Sequence, residues 1–285
     1  MKKIFILLAL GFVLALSAKD AVRTDFFQVN TNWTQKELFA TVDEVIPNVV
    51  FDPDDPDYGK EDTAYNLTEA RNFALQKAKK RLNILLFRGI ENLPLNSAES
   101  VKDAIKTSDE FKQKYNEIFQ TNSISYSVKY KKNRVYVAGK FKFTGRDGLL
   151  YYLDMKFFEE EFPEFQKMES SPEYTGLIID ARHLDAHPAL YPRILSDRGL
   201  EIYTYRHAEK SSALNKGIVT YMTDPVEAMK HSALIGKKPF YIRALNSAGK
   251  GMSDLVIQSE DAKKLLASEK TRSFLKKCRV IILIK

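Results

Sequence analysis

The chain has 285 residues, a formal net charge of +7 and a single cysteine, Cys278. One cysteine excludes an internal disulfide framework and a cysteine-based zinc cluster. The charge excess is modest and its lysines and arginines are dispersed, which argues against a nucleic-acid-binding protein.

Residues 1 to 18 read as a secretory signal peptide, with Lys2 and Lys3 ahead of the apolar run Ile4 to Leu16 and the small residues Ser17 and Ala18 at the cleavage point. That run is shorter than the roughly 20 residues a membrane span requires. Cleavage leaves 267 residues with 42 basic and 37 acidic groups. No cysteine follows the signal to carry a lipid. The expectation is a periplasmic protein with no membrane insertion after cleavage.

Residues 19 to 65 read as an N-terminal arm followed by an acidic loop. Phe26, Phe27, Val29 and Trp33 are suited to dock the arm, and Asp52 to Asp62, interrupted by Pro53 and Pro56, must be irregular. The spacing predicts a helix over 66–88: Leu67, Ala70, Ala74, Ala78, Leu82 and Leu85 form one stripe, Asn66 and Glu69 form a capping box, and Gly89 stands as a C-cap. A second helical stretch runs from Ser97 to Gln120, with Ser108 a candidate break.

Alternation of Ile124, Tyr126, Val128 and Tyr130, then Val135, Val137, Phe141 and Phe143, predicts a hairpin turning at Lys131 to Arg134. Asp147 opens an expected third helix through Leu149, Leu150, Leu153 and Phe157. Lys167 to Pro172 reads as a linker. Beyond it come strands at Leu177–Ile179, Ile202–Tyr205, Ile218–Tyr221, Phe240–Leu245 and Leu255–Ile257. A helix capped by Ser259 follows, and then a last, doubly covered strand at Val280–Ile284. The fold class is α+β in two modules, 66–168 and 173–285, with helices packed on antiparallel or mixed sheets. Charge divides unevenly: residues 19 to 168 carry 23 basic and 24 acidic groups, residues 169 to 285 carry 19 and 13.

Four constellations invite a chemical reading. Asp180, His183, Asp185 and His187 could hold a metal, as in a metal-dependent hydrolase, but Pro188 and Pro192 place them on a loop, where an i, i+4 histidine pair does not share a helix face. The acidic loop Asp52 to Asp62 could hold calcium, but its spacing departs from the EF-hand loop. Gly249-Lys250-Gly251 lacks the phosphate-loop spacing and reads as a hairpin turn. The aromatic cluster Tyr151, Tyr152, Phe157, Phe158, Phe162 and Phe165 exceeds what one helix face buries. Of these, Tyr151, Tyr152, Phe158, Phe162 and Phe165 are candidate interface residues; packing between the modules is the plainer role. No catalytic, cofactor or metal residue is assigned, and a small-molecule ligand is not expected.

Two stretches carry a family resemblance. Ala74-Leu75-Gln76-Lys77-Ala78-Lys79-Lys80-Arg81-Leu82, then Gly89-Ile90, then the hairpin Ser123 to Phe143, resemble the FlgP-type domain of flagellum-associated envelope proteins. Tyr174 to Arg182, Pro188-Ala189-Leu190, Pro192 to Leu195, Glu201-Ile202-Tyr203 and Ser253 to Ala262 are similar to the C-terminal part of exported proteins with that module. Members tend to carry small residues where His183 and Asp185 stand, so those two inherit no role. Size, signal and module order resemble spirochete periplasmic flagellar sheath proteins of the flagellar coiling protein B type.

The resemblance implies a non-catalytic structural component that coats or binds the flagellar filament and influences its shape and motility. The partners would be other filament or sheath proteins, with the basic second module facing an acidic surface. The rival reading is a peptidoglycan- or glycan-binding envelope module.

Overall fold

The computed structural model describes residues 21–118, 123–153, 157, 160–164 and 173–285. The expected signal peptide and the linker at 167–172 lie outside the described residues. Among the described residues, no helix is long and apolar enough to cross a membrane.

Residues 23 to 45 are not an arm. They form β1 (Arg23–Phe26), β2 (Val29–Asn32) and β3 (Glu37–Val45). A two-residue parallel pair, β4 (Asn48–Val49) with β5 (Thr63–Ala64), clips the acidic loop at its base. Then come α1 (Leu67–Glu91), α2 (Val101–Thr107), α3 (Asp109–Ile118), the hairpin of β6 (Ile124–Lys131) and β7 (Arg134–Lys142), and α4 (Leu149–Tyr152). The strands form one antiparallel sheet in the order β1-β2-β3-β7-β6. Its central strands β3 and β7 have no long hydrophobic runs of their own. The arm reading therefore missed that Leu38, Ala40 and Val42 pair opposite Phe141, Gly139 and Val137, all turned toward α1.

The buried stripe of α1 is Ala70, Ala74, Ala78, Leu82, Leu86, Gly89 and Ile90; Leu67 is exposed. Asn66 Oδ1 accepts from the Glu69 N–H at 2.9 Å, and the Glu69 carboxylate reaches back to the Tyr65 N–H. Gly89 is not a C-cap, because the helix runs on to Glu91 and is capped at Asn92. Its role is close packing: a Cβ on Gly89 would sit 2.7 Å from Val29 Cγ1, and one on Gly139 would sit 2.8 Å from Leu82 Cδ2. Both glycines let α1 settle onto the sheet.

Ser108 does break the second helical stretch. It separates α2 from α3 and accepts the Phe111 N–H on its hydroxyl, while Ser100 and Asp103 form a capping box ahead of α2. The third helix is shorter than expected. It is the single turn α4, preceded by Gly148 rather than opened by Asp147.

The second half runs β8 (Gly176–Asp180), β9 (Ile194–Ser196), β10 (Glu201–Tyr203), a 3-10 turn at Tyr205–His207, α5 (Lys210–Lys216), β11 (Thr220–Met222), α6 (Pro225–Lys230) and α7 (Ser232–Ile235). It continues with β12 (Pro239–Arg243), β13 (Asn246–Ala248), β14 (Asp254–Ile257), α8 (Ser259–Leu266), α9 (Glu269–Lys276) and β15 (Val280–Leu283). Two sheets result. One is mixed, in the order β10-β9-β14-β13; the other is wholly parallel, in the order β11-β15-β8-β12.

The parallel sheet explains the continuous apolar runs. Ile178, Ile281 and Leu283 pack on one face with Ala228, Leu234 and Ile235 of α6 and α7. Leu177, Ile179, Val280 and Ile282 face the other way and join the main core, which includes Leu265, Leu266, Phe274 and Leu275 of α8 and α9. Ser259 does not cap α8: the cap position is Gln258, and the Ser259 hydroxyl donates to Asp197 instead. The protein is thus a mixed α+β fold, and its main core runs without interruption from α1 and the antiparallel sheet into the second half.

Candidate functional site

The loop after β8 is the first place to look for chemistry, because it leaves the carboxyl end of a central parallel strand. Asp180 receives a bidentate pair from Arg182, Nε to Oδ1 at 2.9 Å and Nη2 to Oδ2 at 2.7 Å, and the Tyr241 hydroxyl donates to Oδ2 at 2.7 Å. The Arg182 guanidinium holds the Asp180 carboxyl well below the usual carboxylate range, helped by Tyr241. A carboxylate so occupied is an anchor for the loop rather than an acid or a base. His183 lies beside Arg243 at 3.4 Å, and His187 approaches Asp185 at 3.6 Å. Among the described residues, no group of three His, Cys, Asp or Glu side chains is placed to hold a metal ion.

The other sequence candidates scatter. The acidic loop is wholly exposed, and its carboxylates accept from their own backbone, as at Asp54 N–H to Asp52 Oδ1. Gly249 to Gly251 is the turn between β13 and β14. Of the aromatic candidates, Tyr151 is exposed, while Tyr152 and Phe162 are buried. Phe162 stacks on His207 with ring centroids 4.5 Å apart. Phe158 and Phe165 lie outside the described residues.

Sequence reasoning missed the junction between the halves. Asp254 is fully buried at the head of β14. It accepts three bonds from Arg193: the backbone N–H at 2.9 Å, Nε at 2.9 Å and Nη2 at 2.7 Å. The Ser97 hydroxyl, from the segment before α2, donates to the same carboxylate at 2.5 Å. Around this lock, the N–H groups of Leu190, Tyr191 and Gly251 donate to the carbonyls of Pro94, Leu95 and Ser97. The sequence signal was a carboxylate opening an otherwise apolar strand, which needs a buried partner.

Trp33 makes a second junction. It meets Phe143 and Tyr221 edge-on at 5.6 and 6.0 Å, and Thr34 donates to the Tyr221 carbonyl at 2.8 Å. Lys36 donates to the Lys216 carbonyl and to Thr220 Oγ1, and desolvation pushes its ammonium down to about 8. Burial pushes the nearby Cys278 thiol up to about 11, which leaves it unreactive at neutral pH.

An open groove of about 690 Å³ lies between α1 and the β1–β2 turn. Phe26, Phe27, Val29, Ile84 and Leu85 supply its apolar lining; Lys77, Lys80, Arg81 and Arg88 ring it with positive charge. Glu44 offsets part of that charge, meeting Arg81 at 3.0 Å and Lys77 at 3.9 Å. Phe27 is 86% exposed and sits at φ 53°, a region that favours glycine. Holding a phenylalanine there costs about 1 kcal/mol. The sequence hid this groove because the cations of α1 look like an ordinary solvated face until the β1–β2 turn is placed over them.

Comparison with known proteins adds one finding. No curated protein matches the chain. Residues 176–285 match the family model described as the second domain of Treponema pallidum Tp0624, so the carboxy-terminal half is similar to a domain of a spirochete protein.

Proposed function

We propose that this is a non-catalytic structural component of a spirochete periplasmic assembly, one that binds or coats the flagellar filament and influences its shape. The observation that carries the reading is the fusion of the two halves into one body through a continuous core and the Asp254–Arg193–Ser97 lock. A coat that biases filament curvature must hold its contact surfaces at fixed spacing, and a shared core does that where a flexible linker would not. The spirochete match of residues 176–285, and the sequence resemblance of the α1 and β6–β7 segments to the FlgP-type domain, support the same reading. The strongly anchored carboxylate Asp180 and the buried carboxylate Asp254 both serve packing.

In this reading the protein is exported by its signal peptide and works in the periplasm, and the basic surplus of the second half favours an acidic filament surface. Co-sedimentation with sheared periplasmic filaments tests it. Binding at low ionic strength that weakens as salt is raised is the expected result; absence of binding at low salt would reject it.

A further inference from the structure

The groove on α1 and the acidic loop carry opposite charge on the same half of the molecule. We infer that they are complementary surfaces, and that copies of this chain associate head to tail by seating the acidic loop of one in the cationic groove of the next.

The groove is built to receive something. Lys77, Lys80, Arg81 and Arg88 project from the solvent side of α1, with the half-exposed Ile84 among them. Among the described residues, Lys80 and Arg88 have no carboxylate partner, so their charge is unspent. Phe27 adds an almost fully exposed ring, held in a left-handed backbone conformation against Phe26 at 4.6 Å, edge to face. A strained turn that presents an apolar side chain to water is the mark of a contact surface rather than of folding.

The loop matches it in kind. Residues 51 to 62 are all exposed and carry Asp52, Asp54, Asp55, Asp57, Glu61 and Asp62 against Lys60 alone. Phe51, 79% exposed, gives the loop an apolar side chain of its own at its base. The loop is also pre-shaped. Successive turns donate Asp55 N–H to the Asp52 carbonyl and Tyr58 N–H to the Asp55 carbonyl, Pro53 and Pro56 restrict it, and the β4–β5 pair closes its base. Little ordering entropy would be lost on docking.

A second copy supplies the complement that the chain's own loop does not. The loop is fixed at the amino end of α1, and Ile84 lies about 27 Å further along the helix at 1.5 Å per residue. Because loop and groove are different surfaces, the interface is heterologous, and each docked pair keeps one free loop and one free groove for further growth. This inference concerns contacts between copies and does not rest on the filament reading.

Sedimentation velocity of the mature chain over a range of concentrations tests it, at about 30 mM and about 0.5 M salt, where the screening length falls severalfold. Reversible association at low salt that is lost at high salt is expected. The double variant Lys80→Glu/Arg88→Glu should be monomeric, as should Asp54→Lys/Asp55→Lys, and mixing the two should restore association because each supplies the other's complement. Phe27→Gly relieves the backbone strain, so it should fold at least as stably as the parent while associating about tenfold more weakly. A chain that stays monomeric at low salt would overturn the inference. So would association that survives both charge reversals, or charge variants that fail to complement each other.

Discussion

The antiparallel sheet and the parallel sheet bury their strands by opposite means. In β3 and β7 one face lies under α1 and the other is wetter, so Val135, Val137 and Phe141 alternate with polar neighbours. In β8 and β15 both faces are covered, and Leu177-Ile178-Ile179 and Val280 to Leu283 are apolar throughout. Charge follows a different division. The first half is nearly neutral by count but is polarised, with a cationic groove and an acidic loop at separate places on it; the second half holds the surplus spread over many side chains, several of them paired, as in Lys263 with Glu260 and Lys270 with Glu173. Net charge per half therefore says less about contact surfaces than the distribution of charge within each half does.

If the halves are one cooperative body, damage to either should lower the same transition. The largest effect is expected from Leu82→Ala on the buried face of α1 and Ile282→Ala in the parallel sheet, each costing about 3–4 kcal/mol. Both should shift one denaturant midpoint and leave a single transition; two separated transitions would break the comparison. Asp254→Ala should cost about 3 kcal/mol, because Arg193 and Ser97 lose a buried partner. It is the variant best suited to loosen the halves, and hydrogen exchange at Leu190 and Tyr191 should rise in it before the rest of the chain exchanges. Gly139→Ala should cost about 1–3 kcal/mol by pressing a methyl against Leu82, and should spare the parallel sheet locally.

A smaller effect should appear on acidification. Burial lowers the pKa of His207 from its ordinary 6.5, opposed by the nearby Glu160 and Glu201 and reinforced by Arg206. Below pH 6.5 the unfolded chain takes up a proton that the folded chain refuses, so stability is complete above that pH and falls as pH drops toward the folded value. Denaturation midpoints measured from pH 7.5 down to 5 should show this loss, and His207→Phe, which keeps the stack on Phe162, should flatten it. The smallest effect is expected at the exposed Lys270–Glu173 pair, where Lys270→Ala should change stability by less than about 0.5 kcal/mol.

Much of the fold could be read from local pattern. The 3.6-residue stripe of α1, the break at Ser108, the β6–β7 hairpin and the central position of β15 all follow from side-chain periodicity within one element. What could not be read depends on partners distant in the chain. Residues 23 to 45 look like an arm because β3 gains its meaning from β7, roughly a hundred positions away, and Gly89 looks like a cap until Val29 is placed against it. The candidate sites fared less well for the same reason. Tyr152 and Phe162 are apolar and locally surplus, yet they are buried against the fold. The groove is assembled from a hairpin turn and a helix that share no motif.

The central claim, that this protein is a structural part of the periplasmic filament assembly, is tested most directly by cryo-electron tomography of cells with and without the protein. The account predicts density along the periplasmic flagella that disappears on deletion, together with a change in filament curvature. Unchanged filaments, with the protein found elsewhere in the cell, would contradict it.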